Sequence, residues 1–264
     1  MDYDDANGIQ HGQLWKAKDW SYEVFMGHEY NQNYYPRDHA APFDENSEMW
    51  QNFSYEYPDV DDVRPIDRQT LYNAVDFMCS ASNEEIKAHF CEYFDFPVFM
   101  DYYIFMEILL STDNHGKNAY YAVYDKQKDK KITIALWDVD AVMGQRWSDY
   151  YFHSDLMRPE QDYAQYITRN EHGDWNLFRK LRDLNINNFN EAVRYRYREL
   201  RNGPLSPEAI NERFATALNR LMACGAEARE KRRWDYDSDL EYHALDFQDE
   251  LEFIQDWVTR RMNY

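Results

Sequence analysis

The chain has 264 residues, 44% of them apolar, which is enough for a well-buried core and excludes a disordered polymer. Its formal net charge of −20 sets up a field that repels nucleic acid and anionic lipid, although one pocket holding a cation can still accept an anionic nucleotide. No apolar run approaches the ~20 residues of a bilayer-crossing helix, and three cysteines without a CxxC pair exclude a zinc site and a disulfide framework.

Residues 1–66 show little helical periodicity. The stretch "HEYNQNYYPRDHAAPFDENSEMW" is rich in Asn, Pro, Asp and rings, and is expected as extended segments and loops, with a short strand at "QLWKA". The start "MDYDDANG" is acidic and is no signal peptide. The pattern turns helical after Pro65. "DRQTLYNAVDFMCSA" puts Leu71, Val75 and Met78 on one face. "SNEEIKAHFCEYF" opens with Ser82 or Asn83 as the N-cap and acids in the first turn. "FPVFMDYYIFMEILLS", with Pro97 in its first turn, is apolar nearly all round and should be the central buried helix. Cys79 and Cys91, on these helices, are expected to be buried thiols.

The turn after that helix holds "STDNHGKN". Two β-rich runs follow, "NAYYAVY" and "KITIALW", on either side of the charged loop "DKQKDK", and predict a hairpin. Irregular chain is expected from Gly144 to about residue 172. Helices then resume in "WNLFRKLRD", "INNFNEAVRYRYREL" and "SPEAINERFATALNRLMACGAEARE", the last capped by Ser206 with Pro207 behind it, and a final helix covers about 243–262. The organisation expected is an irregular, aromatic-rich segment over 1–49 and one α+β, mainly helical domain over 50–264.

The hairpin carries the chemistry. Asn118 begins its first strand and Asp138 ends its second, so antiparallel pairing is expected to set them side by side. Asp138 and Asp140, one residue apart, share a face if that stretch is extended. Two carboxylates and an amide oxygen suit Mg²⁺ or Mn²⁺, which bind substrate phosphates and keep several waters. Asp113 beside them is placed to accept a hydroxyl proton, and Lys117 to meet a phosphate. An Asp, an Asn five positions later and a further Asp after a hairpin is the layout of phosphoryl transfer in protein kinases, with Val-Asp here where Phe-Gly would follow the last Asp.

The run "FMDYYIFMEILLSTDNHGKNAYYAVYDKQKDKKITIALWDVDAVMG" resembles the core of the CotH kinase family, named after a spore coat protein: an apolar helix, an Asp, a "KNxYxxY"-like strand and a "WDxD" element. "YEYPDVDDVRP" and "RYRELRNGPLSPEAINERFATAL" resemble its flanking segments, so the resemblance runs from about residue 50 to the end. It implies a protein-kinase-like C-lobe whose small β-hairpin carries the metal site. It also implies use of ATP with Mg²⁺ or Mn²⁺, and transfer to Ser of a secreted or surface protein, hence an extracellular or cell-envelope location. By resemblance Asp113 is the catalytic Asp, Asn118 and Asp138 are metal ligands, and Asp140 is the second acid of "WDxD". His115 and Lys117 fall in the cofactor-binding part of the motif. Only about 50 residues precede the matched region and no Gly-rich stretch lies among them, so the chain is expected to be either the C-terminal portion of a longer protein or a natural short form, lacking most of the N-lobe. The alternative is a non-catalytic kinase-like scaffold that uses its aromatic residues 20–57 as a contact surface.

Overall fold

The computed structural model describes residues 3–4, 9–18, 22–26, 53–59, 67–111, 113–145, 157–162, 176–234 and 246–264. Most of the aromatic stretch 20–57 lies outside them, as do most of "PDVDDVRP" and of the irregular stretch 145–172. In chain order the elements are β1 (Tyr3–Asp4), β2 (Ile9–Gln10), β3 (Gln13–Ala17), α1 (Tyr22–Phe25), β4 (Phe53–Tyr57), α2 (Gln69–Ser80), α3 (Asn83–Tyr93), α4 (Phe96–Leu109), β5 (Ala119–Val123) and β6 (Thr133–Leu136). After these come α5 (Leu177–Asp183), a 3₁₀ turn (Ile186–Asn188), α6 (Phe189–Arg201), α7 (Pro207–Ala223), α8 (Ala226–Trp234) and α9 (Phe247–Asn263). The fold is α+β and mainly helical, as expected. No described helix is long and apolar enough to cross a membrane.

The chain divides into two compact units. The first holds residues 1–106, 112–139 and 163–193. Its predicted hairpin, β5–β6, is half of a four-stranded antiparallel sheet of order β4-β3-β5-β6. The added strands come from far upstream, and "QLWKA" is an inner strand between β4 and β5. The pleat explains its sequence. Gln13, Trp15 and Ala17 are fully buried on one face, while Leu14 and Lys16 take the other. Trp15 packs edge-on to Tyr55, and Phe53 edge-on to Tyr121, which is fully buried and whose phenol is pushed well up by desolvation.

In the helical part of this unit, α2 buries Leu71, Val75 and Met78 as its spacing predicts. Ser82 is the N-cap of α3, in a reciprocal capping box with Glu85. α4 carries an aromatic core: Phe99 touches Phe90, Phe94 and Phe178, while Tyr102 stacks on Phe178. The junction between α3 and α4 is fastened to the foot of β6, where Ile132 donates to the Tyr93 carbonyl and accepts from the Asp95 amide. This bond pair fixes the hairpin against the helices. Cys79 is buried as expected, whereas Cys91 is exposed, because α3 turns only Ile86 and Phe90 inward.

The second unit holds residues 107–111, 140–162 and 194–264. The helix expected from Ser206 through "GAEARE" is broken in two. Gly225 at φ +71 ends α7 after the Cys224 cap, a left-handed position that only glycine adopts without strain. Arg261, on α9, is buried and donates to the carbonyls of Glu107, Pro159 and Gln161. Trp257 donates to Met157 O at 2.9 Å, and Arg260 grips the Glu160 carboxylate with two nitrogens at 2.6 and 2.8 Å.

One buried group of the first unit stands out energetically. Lys180 on α5 is 0% exposed, and its ammonium donates to the main-chain carbonyls of Met26 and Met78. Burial pulls its pKa from the ordinary lysine value of 10.5 down to about 8. Between those two values the unfolded chain binds a proton that the folded chain has lost, so raising the pH through that window stabilises the fold. In urea unfolding, the stability of the wild type relative to Lys180→Met is expected to rise by about 2 kcal/mol from about pH 7.5 to about pH 9.5. A difference that does not change with pH would contradict the burial of this charge.

Candidate functional site

The loop that follows α4 and the neck of the hairpin build the site. Asn118 closes the loop with a left-handed backbone, φ +54, which an Asn tolerates better than most residues. Its amide N–H donates to Ala17 O on β3 at 3.1 Å. Its carbonyl accepts from the Trp137 amide at 3.1 Å and from the Asn114 side chain at 2.8 Å. The same Asn114 Nδ2 donates to Trp137 O at 2.6 Å, and the Asn114 carbonyl accepts from the Tyr102 hydroxyl at 2.7 Å. Asn114 is 1% exposed, so its bonds to Asn118 O and from the Tyr102 hydroxyl form where water does not compete.

With its backbone held on both sides, Asn118 sends its side chain back across the loop. Nδ2 donates to Asp113 Oδ2 at 2.7 Å, and Lys117 Nζ lies 3.7 Å from the same oxygen. Asp113 and Asn118 are both buried. A carboxylate oriented by an amide and a cation is a suitable proton acceptor for a hydroxyl group. The amide that bonds Asp113 through Nδ2 necessarily turns Oδ1 the other way, as an oxygen donor.

The structure brings together Asp113, Lys117 and Asn118 and treats the remaining sequence candidates differently. The register pairs Ala119 with Leu136, so Asn118 faces Trp137, and Asp138 lies one step beyond rather than directly opposite Asn118 as expected. Asp138 also has φ +55. The stretch is not extended there, so the two-residue alternation expected to put Asp138 and Asp140 on one face does not apply. Asp138 is exposed; so is Asp140, which belongs to the second unit. His115 is 1% exposed, with its ring 5.2 Å from that of Phe25.

Among the described residues no three His, Cys, Asp or Glu side chains come together as a metal cluster. A Mg²⁺–nucleotide complex brings phosphate and water ligands of its own, and one or two protein oxygens complete it. Asn118 Oδ1 and the Asp138 carboxylate are hard oxygen donors of that kind, so the residues present fit such an ion.

Several supporting residues escaped the sequence reading. Asn114 sits inside the motif, and a buried amide in a tight loop is the one signal that could have found it. Phe25 and Ala17 lie about a hundred positions upstream and gave none. On the far face of the sheet Lys16 Nζ lies 4.6 Å from the Trp137 ring centroid, and Tyr120 meets Trp137 edge-on, so the residue before Asp138 is wedged between neighbours.

A family model described as CotH kinase protein matches residues 17–264. No curated protein is similar enough to count as a match.

Gly116 tests the loop's packing. A Cβ there would lie 2.4 Å from Phe25 Cδ1. Gly116→Ala is therefore expected to cost about 1–3 kcal/mol in chemical unfolding, in the range of other overpacking changes. Much of that loss should return in a Phe25→Ala background, and a loss that the second change does not relieve would place the strain elsewhere.

Proposed function

Because the chain belongs to the CotH kinase family, we propose that it transfers the terminal phosphoryl group of ATP to a Ser hydroxyl of a secreted or surface protein. The observation that carries this reading is the bond from Asn118 Nδ2 to Asp113 Oδ2, 2.7 Å long, between two buried side chains five positions apart. The family membership supports a kinase-like domain.

In this mechanism Asp113 accepts the proton of the attacking hydroxyl and orients the oxygen for in-line attack. Asn118 holds the Asp113 carboxylate by its amide nitrogen. Asn118 Oδ1 and Asp138 would hold a divalent ion, and Asp140 is the further acid of the "WDxD" element. Mg²⁺ or Mn²⁺ held there would supply Lewis-acid stabilisation of the charge that develops in the transfer. Lys117, 3.7 Å from Asp113 Oδ2, supplies a fixed positive charge in a chain whose overall field repels ATP. His115, packed on Phe25, shapes the loop from beneath.

The phosphoryl balance is simple. The acceptor oxygen forms a bond to the γ-phosphorus while the bridging bond to ADP breaks, and the hydroxyl proton passes to Asp113.

The first test is a thermal melt with ATP and Mg²⁺. At about a hundredfold excess over Kd, one-site binding adds about 2.7 kcal/mol, which is expected for the wild type and absent in Asp138→Ala. No shift in either protein would favour the scaffold alternative. Transfer of labelled phosphate to a protein acceptor is the second test. Asp113→Asn is expected to lower turnover about a hundredfold to ten-thousandfold, the range for a lost general base, while keeping the melt shift. Unchanged turnover would remove Asp113 from the chemistry.

A further inference from the structure

We infer that Lys180 is a positioning residue for the Asp113–Asn118 loop, acting through Met26 and Phe25. The mechanical link stands on contacts within the first unit, while its catalytic meaning rests on the function proposed above.

The chain of contacts is short. Lys180 is 0% exposed, and its Nζ donates to Met26 O at 3.1 Å and to Met78 O. Met78 lies in the last turn of α2, where carbonyls lack helical partners and a cation is favoured. Met26 follows α1 directly, with a left-handed φ of +51. A buried bond at this residue therefore fixes where a helix of only four residues stops. Phe25, the last residue of α1, is 1% exposed and lies against His115 and Gly116. The fit is close enough that no side chain larger than hydrogen is accommodated at Gly116 without moving the ring. Gly116 and His115 are the middle of the loop whose two ends, Asp113 and Asn118, hold each other.

Stability alone is a poor reason for this lysine. Among the described residues no carboxylate pairs with it, and Cys79 on α2 is the titratable group whose charge it feels. An unpaired buried ammonium costs more than an apolar side chain of the same shape. What the charge gives in return is direction, because its bonds to two carbonyls fix α1 against α2.

The two possible roles also separate by sign. Loss of the proton relieves the cost of burial and raises global stability, but it weakens both charge-assisted bonds and loosens α1.

Glycine NMR reads the seating directly. The chain has 8 glycines, so selective labelling gives a sparse spectrum. The Gly116 α-protons lie against the Phe25 ring and should be strongly shifted by it. Phe25→Leu calibrates the unseated position. In Lys180→Met the Gly116 signal is expected to move at least half-way to that position, and phosphoryl-transfer turnover to fall about tenfold, the equivalent of one lost hydrogen bond, with the KM for ATP little changed. A Gly116 signal that stays at its wild-type position in a folded Lys180→Met protein overturns the link. If that variant does not fold, titration of the wild type decides. Movement of Gly116 as the pH rises through about 8, retained in Cys79→Ala, supports the link, and a flat line overturns it. Movement of Gly116 with unchanged turnover would overturn the positioning role. Movement of Gly116 in a chain that transfers no phosphate would remove the proposed function and leave the link standing.

Discussion

Asn118 is the constraint on which the site depends. Its N–H, its carbonyl and its side-chain amide are each committed to a different partner: Ala17 on β3, Trp137 and Asn114 across the hairpin neck, and Asp113 across the loop. A residue held on three sides cannot drift, and what it holds is the Asp113 carboxylate. Buried polar networks of this kind are costly when incomplete and rigid when complete. Asn114 completes this one by donating twice from a single amide. The site is therefore placed by main-chain bonds of the sheet together with the side-chain amides of Asn114 and Asn118.

Among the described residues, this strongly acidic chain buries two cations. Lys180 and Arg261, each within its own unit, both spend their donors on main-chain carbonyls, at Met26 and Met78 in one case and at Glu107, Pro159 and Gln161 in the other. Burial lowers the pKa of both. Carbonyls near helix ends carry the partial negative charge that such a cation needs, without introducing another full charge that must be desolvated. Arg261 also has the Glu107 carboxylate at 3.6 Å, whereas the partners of Lys180 among the described residues are carbonyl dipoles. That contrast separates a cation that ties a unit together from one that sets the position of a single short helix.

The sheet shows why part of the site was hidden. The hairpin was legible because β-branched and aromatic residues alternate on either side of a charged turn. The strand "QLWKA" was legible too, but β4 was not, nor was the pairing of either strand into the sheet, since β4 lies about forty positions from β3 along the chain. Pairing over such distances is decided by which edges meet once the helices have packed, and a local window carries little of that information. The same limit explains the misplaced partner of Asn118. Pairing Asn118 with Asp138 or with Trp137 differs by one residue, and only the bonds actually made at the hairpin neck choose between them.

In the sequence by itself, local patterns of spacing and residue type were enough for most of the longer helices, the Ser82 and Ser206 caps, the apolar core of α4, the strand "QLWKA", the hairpin and the group Asp113, Lys117 and Asn118, but not for α1 or the break at Gly225. Tertiary structure alone decided the four-stranded sheet, the register that puts Asp138 one step past Asn118, the burial of His115 and the seating of Gly116 on Phe25. Each of these depends on residues distant in the chain meeting in space, and the free energy of such a meeting belongs to the pair, so neither segment carries it alone.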